Sequence, residues 1–135
     1  MAHALHYRGQ VLAASGLDIT AGLWLIVSPS VMSFHVRAIW MNNIILGILI
    51  GIIAFYRFMT ITPATAGLSW VNVVLGIWVL ASPWALGFAN IHPAMAHNVA
   101  LGIIVIILAC WSAMASISDR TSDIKRDSTI NDDLA

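Results

Sequence analysis

The stretch GIWVLASPWALGF at residues 76–88 has a near copy earlier in the chain, GLWLIVSPSVMSF at residues 22–34. Each copy is an apolar run with a Ser-Pro pair and a Phe five residues after the proline. Proline lacks an amide hydrogen and disfavours helix in the residue before it. We therefore expect each run to be a helix that ends at its serine, whose hydroxyl caps unpaired backbone groups. The repeated residues are Ser28, Pro29 and Phe34 in the first copy and Ser82, Pro83, Trp84 and Phe88 in the second.

Composition identifies the medium in which these helices fold. The 135 residues are 60% hydrophobic and only 9% charged, whereas soluble domains are about 25% charged. So little charge cannot cover a water-soluble fold, and we expect membrane lipid to surround most of the surface. The formal net charge of zero offers no basic field for nucleic acid, so no nucleic-acid partner is expected.

Four apolar segments are long enough, or nearly so, to cross a hydrocarbon core that takes about 20 helical residues. We expect Trp84, Phe88 and Phe34 to anchor these spans at the membrane–water interface. The polar segment after the fourth span holds five of the six acids. It is predicted to be a short helical extension with a flexible end. The predicted spans are Val11–Val27, Ala38–Phe58, Thr65–Ala81 and Ala94–Ile117.

The two halves of the chain are a repeat. A shift of 54 positions aligns the helices that precede the Ser-Pro pairs, and a shift of 55 aligns the helices that follow. Each unit crosses the membrane twice, so both units enter from the same side and are related by a pseudo-twofold axis along the membrane normal. We expect an all-α, four-helix transmembrane bundle of two parallel-repeat hairpins. The predicted divisions are a segment at 1–10, hairpins at 11–59 and 60–117, and a polar tail at 118–135.

These repeated motifs resemble the SPW-repeat family of small bacterial membrane proteins. Ser82-Pro83-Trp84 is the full motif, and Ser28-Pro29-Ser30 lacks its tryptophan. The resemblance covers about residues 11–117 and implies two repeats and four spans in the bacterial inner membrane. Lysine and arginine are counted near the spans to orient the chain. Arg37 alone falls in a loop at the Ser-Pro end, and five others fall at the opposite end, so both termini are expected in the cytoplasm.

Each span carries a polar residue four positions before a glycine, which places the two on one helical face. Glycine lets helix backbones approach, and amides hydrogen-bond across the gap. We expect the four faces to meet on the bundle axis as one intramembrane polar cluster. The pairs are Asp18/Gly22, Asn43/Gly47, Asn72/Gly76 and Asn98/Gly102, and Gly51 extends the second as Gly-x-x-x-Gly.

Asp18 is the one acid before the tail, and its repeat partner is the neutral Asn72. An ionisable residue in a span is a candidate functional site. Two structural interpretations stay open: burial holds the carboxyl neutral, or asparagine amides donate hydrogen bonds to it.

The sequence contains no pattern for catalysis or for a cofactor. His35, His92 and His97 lie between apolar runs without the carboxylates or motifs of a metal or haem site. We expect interfacial histidines, no metal, no cofactor and no enzymatic activity. A haem-bearing electron-transfer subunit is a remote alternative.

The leading hypothesis is an accessory or assembly subunit of a larger membrane complex, or a homo-oligomer, because packing or anchoring explains nearly every distinctive residue. The alternative is a small transporter or ligand-binding membrane protein with a polar site at Asp18 and the repeat asparagines. That alternative predicts a hydrated cavity lined by those side chains.

Overall fold

A computed structural model describes residues 2–33, 35–60 and 66–134, which form helices without any strand. Phe34, expected as an interfacial anchor, lies outside the described residues. Every described helix is long and apolar enough to cross a membrane, so the predicted all-α, four-helix bundle is confirmed. The helices are α1 (Ala2–Val31), α2 (Arg37–Met59), α3 (Ala66–Ala85) and α4 (His92–Leu134).

The polar tail continues α4 without a break. The predicted helical extension is not short, because helix runs to Leu134. No glycine or proline follows Gly102 in the sequence, so the backbone meets no residue that opposes helix. Hydroxyls also bond back to carbonyls one turn earlier, for example Thr121 to Ile117 at 3.2 Å and Ser122 to Ser118 at 3.0 Å.

The helices pack as a square in which each contacts its two neighbours, and contact is most extensive within the hairpins α1–α2 and α3–α4. Two diagonals, α1–α3 and α2–α4, therefore cross the centre. Large apolar side chains such as Ile52, Val74 and Ile107 are exposed on the outside, as expected for a lipid-facing surface. The central apolar core consists of Ala21, Leu25, Leu46, Ile50, Val79, Leu101 and Val105.

Equivalent glycines allow the helices of each hairpin to cross closely. A Cβ on Gly47 would lie 2.6 Å from the carbonyl oxygen of Gly22, and a Cβ on Gly102 would lie 2.9 Å from that of Gly76. Both distances are too short for a side chain, so glycine is required at these crossings. Gly51 differs: its backbone contacts the Gly22 position, but a Cβ of its own would meet nothing within 4 Å.

The Ser-Pro pairs do not end their helices. The expectation that α1 stops at Ser28 and α3 at Ser82 is wrong, because each helix runs three residues further. A helical amide at Pro29 would bond the carbonyl of Leu25, and proline cannot supply that hydrogen. The Ser28 hydroxyl donates to this same carbonyl at 3.1 Å.

In the second repeat, too, a serine hydroxyl replaces the amide hydrogen that proline lacks. The Ser82 hydroxyl donates at 2.8 Å to the carbonyl of Val79, the residue four before Pro83. Serine thus replaces the hydrogen bond that proline removes, and the pair carries the helix through its last turn. Trp84 lies in that turn and is exposed, whereas Phe88 is buried against Ile39 and Ala94. The expectation that Phe88 is an interfacial anchor is therefore wrong.

Candidate functional site

Most of the buried polar side chains fall in two layers at different depths. The Ser-Pro layer lies near the Ser-Pro end, and the Asp18 layer lies toward the end that carries the termini. Asn72 and Ser82 mark the layers on α3, and their ten-residue separation corresponds to about 15 Å of helix. The four polar residues expected in one cluster are thus divided between the layers. The Ser-Pro layer contains Asn42, Asn43, Ser82, His97 and Asn98, and the Asp18 layer contains Ser15, Asp18, Arg57, Ser69, Asn72 and Ser112.

The Ser-Pro layer is closed by reciprocal hydrogen bonds across the α2–α4 diagonal. Asn43 Nδ2 donates to Asn98 Oδ1 at 3.2 Å, and Asn98 Nδ2 donates to Asn43 Oδ1 at 3.1 Å. Asn98 Nδ2 also lies 3.0 Å from the Ser82 hydroxyl oxygen. Since that hydroxyl donates onward to Val79, a continuous network joins the second Ser-Pro pair to both repeats.

Each asparagine of the pair has a polar neighbour directly before it in sequence. Asn42 Nδ2 donates to Asn43 Oδ1 at 3.3 Å and its Oδ1 accepts from Trp78 Nε1 at 3.1 Å. His97 occupies the equivalent position in the second repeat, with Nδ1 3.2 Å from Asn98 Oδ1.

The Trp24 and Trp78 rings complete the layer at equivalent positions. The Trp24 ring lies 6.5 Å from the ring of His97, while Trp78 bonds Asn42. Each tryptophan therefore contacts the opposite repeat. Sequence reasoning missed this role and placed His97 at the interface. The 54- and 55-residue shifts, which pair Trp24 with Trp78 and Asn42 with His97, were the available signal.

The Asp18 layer occupies the other diagonal, α1–α3. Asp18 is fully buried, and the groups that act on its carboxyl electrostatically are the Asn72 side chain and the Arg57 guanidinium. The Asp18 and Asn72 side chains interact electrostatically, but the Asn72 amide does not donate a hydrogen bond to the Asp18 carboxyl. Arg57 is also fully buried. Sequence reasoning had counted it as a charge at the membrane surface.

The repeat is broken in this layer by charge. Asp18 aligns with the neutral Asn72, and Arg57 aligns with the neutral Ser112. One hairpin therefore supplies an acid and a base, and the other supplies two uncharged side chains at the same positions. Ser15 and Ser69 are equivalent as well, so the layer has polar groups from all four helices.

The grooves lie on the outside of the bundle. Grooves of about 340 Å³ run between α1 and α2 and between α1 and α4, and both have apolar linings. A further one of about 350 Å³ lies at the Ser-Pro end, beside His35 and Pro93. None of these grooves is lined by Asp18 or the repeat asparagines. Within the described ranges, no three His, Cys, Asp or Glu side chains are placed to hold a metal ion.

Four apolar helices, two equivalent hairpins and a polar interior define a small multi-pass integral membrane protein. The SPW repeat domain matches the sequence over residues 12–112, so the chain belongs to the SPW-repeat family. No curated protein and no solved structure matches it.

Proposed function

We propose that the protein is a non-enzymatic assembly subunit of the bacterial inner membrane, in a larger complex or as a homo-oligomer, with both termini in the cytoplasm. The observation that carries this proposal is the final part of α4. Residues 118–134 continue α4 beyond Ile117, the end of the predicted fourth span, as one helix. They correspond to about 25 Å of helix.

This α4 arm, defined as residues 118–134, has the character of a partner surface. Its side chains from Thr121 to Leu134 are exposed, so packing against the bundle does not stabilise them. In proteins most helical stability comes from tertiary packing of an apolar face and not from helix propensity. A partner that packs on the arm would supply those contacts, and Ile124 and Leu134, which are 71% and 81% exposed, would be covered.

The interior of the bundle supports the same proposal. The glycine crossings and the Ser-Pro layer are used within one chain, and the grooves described above open sideways toward lipid. Such an interior holds the chain in one shape but offers no described path across the membrane. A structural role in an assembly fits these features better than transport.

The alternative, a small transporter or ligand-binding protein, is favoured by one observation. The Asp18 layer contains buried polar atoms that have no hydrogen-bond partner among the described residues. These atoms give a ligand something to bind, although the described grooves do not reach them.

Mass measurement tests the assembly proposal. The full chain and a chain truncated after Ile117 are extracted in mild detergent and analysed by light scattering and native mass spectrometry. We expect the full chain in an oligomer or with a stoichiometric partner, and the truncated chain as a monomer. Ser122→Pro breaks the arm while retaining its charges and should behave like the truncation. A lone monomeric full chain would contradict the proposal.

A further inference from the structure

We propose that the Asp18 layer is a hydrated site inside the membrane, in which bound water links the side chains of the four helices. The Ser-Pro layer, by contrast, is closed by direct hydrogen bonds between side chains. This inference concerns the interior of a single chain and does not depend on the assembly proposal. It also identifies water as the ligand at Asp18 in the alternative function, the small transporter or ligand-binding protein.

The first step is the set of atoms that require a partner. Buried polar groups in proteins are almost always hydrogen-bonded to protein or to ordered water. In this layer several fully buried polar atoms have no hydrogen-bond partner within the described ranges. They are Ser15 Oγ, Asp18 Oδ1 and Oδ2, Ser69 Oγ, Asn72 Nδ2 and Oδ1, and Ser112 Oγ.

The second step is that these atoms converge. Asp18 and Asn72 act on each other across the α1–α3 diagonal. Ser15 lies three residues before Asp18, and Ser69 lies three before Asn72, so each serine shares the helical face of its neighbour. Ser112 is the repeat equivalent of Arg57, which acts on the same carboxyl.

The third step excludes other occupants by charge. The Arg57 guanidinium repels a metal cation from the Asp18 carboxyl, and the carboxyl repels an anion from Arg57. The orphaned atoms include acceptors at Asp18, donors at the Asn72 amide, and serine hydroxyls that serve as both. Water is the small neutral ligand that donates and accepts, and buried waters commonly make about three such bonds.

Nuclear magnetic resonance of the asparagine side chains tests this proposal on the unmodified full chain. The six asparagines are ¹⁵N-labelled, and cross-peaks between their side-chain amides and water are recorded in nanodiscs. Serine substitution assigns Asn42 and the exposed Asn90 and Asn131, and the two exposed residues serve as wet controls. The cross-peak between Asn43 and Asn98 assigns that pair, which serves as the dry control.

We expect the Asn72 amide to show water cross-peaks and the Asn43 and Asn98 amides to show none. An Asn72 amide as dry as those two would overturn the proposal. A change in the Asn72 signal when sodium chloride is replaced by choline chloride would also overturn it, because the occupant would then be a cation. The water cross-peaks do not depend on the oligomeric mass of the protein. The hydrated-site proposal and the assembly proposal can therefore fail independently.

Discussion

Asn43 and Asn98 occupy the same position in the two repeats and hold each other by two hydrogen bonds, at 3.2 and 3.1 Å, across the α2–α4 diagonal. Residues that meet their own repeat equivalents lie on the pseudo-twofold axis. Both amides are fully buried, so neither has water as a substitute partner. The pair therefore joins the hairpins at the Ser-Pro end.

Replacing one asparagine of this pair should lower the free energy of unfolding by more than the lost hydrogen bonds alone, because the other amide stays buried without a partner. Asn98→Val leaves the Asn43 amide buried without its partner, and we expect a loss of about 2 kcal/mol in the free energy of unfolding. Asn43→Val should cost a similar amount, and the double variant should cost less than the sum. Unfolding in a denaturing-detergent titration measures each value, with the exposed Asn131→Ala as control. Strict additivity would contradict the paired role.

The glycine crossings predict opposite outcomes for two neighbouring glycines. Gly47→Ala places a Cβ 2.6 Å from the Gly22 carbonyl oxygen, and the overpacking should cost about 1–3 kcal/mol. Gly51→Ala places its Cβ in open space, and the helix propensity of alanine should make it neutral or stabilising by up to about 1 kcal/mol. The same unfolding titration compares them. Equal destabilisation would show that the α1–α2 crossing is not the cause.

The Ser-Pro pair predicts that one substitution repairs another. Ser28→Ala removes the donor to the Leu25 carbonyl and should cost about 1 kcal/mol. Adding Pro29→Ala restores an amide hydrogen that bonds the same carbonyl, so the double variant should regain most of the lost stability. If Pro29→Ala gives no recovery in the titration, the hydroxyl does not replace the amide bond.

The opposite charges of the Asp18 layer predict a coupling energy between α1 and α2. Asp18→Asn removes the acid and Arg57→Met removes the base, and each acts electrostatically on the other in the native protein. Removing one of two buried charges that compensate each other costs about 3–5 kcal/mol. Since Asn72 and Ser112 show that the neutral combination fits this depth, the double variant should be more stable than the two single losses predict, by at least about 1 kcal/mol. A double-mutant cycle measures this coupling energy. A value near zero would show that Asp18 and Arg57 do not interact and would contradict the prediction.

The sequence was sufficient for the fold because its signals repeat. Low charge indicates lipid, and the 54- and 55-residue shifts align one hairpin on the other. The division into two layers was harder to predict, since a polar residue four before a glycine defines a helical face but not a depth. The burial of Arg57 was not predicted because the residue lies at the end of α2, where an arginine is expected at the membrane surface. Its burial is a property of the folded chain, which periodicity within one helix does not report.

The burial of Arg57 also bears on the orientation of the chain. Without it, the bias of positive residues toward the end with the termini falls from five against one to four against one, and its direction is unchanged. In a Cys110→Ser background, cysteines at the exposed Asn90 and Ser128 report opposite ends of the bundle. An impermeant maleimide added to intact cells should label Asn90→Cys directly, and Ser128→Cys only after permeabilisation. The reverse pattern would place both termini outside the cytoplasm and contradict the proposed topology.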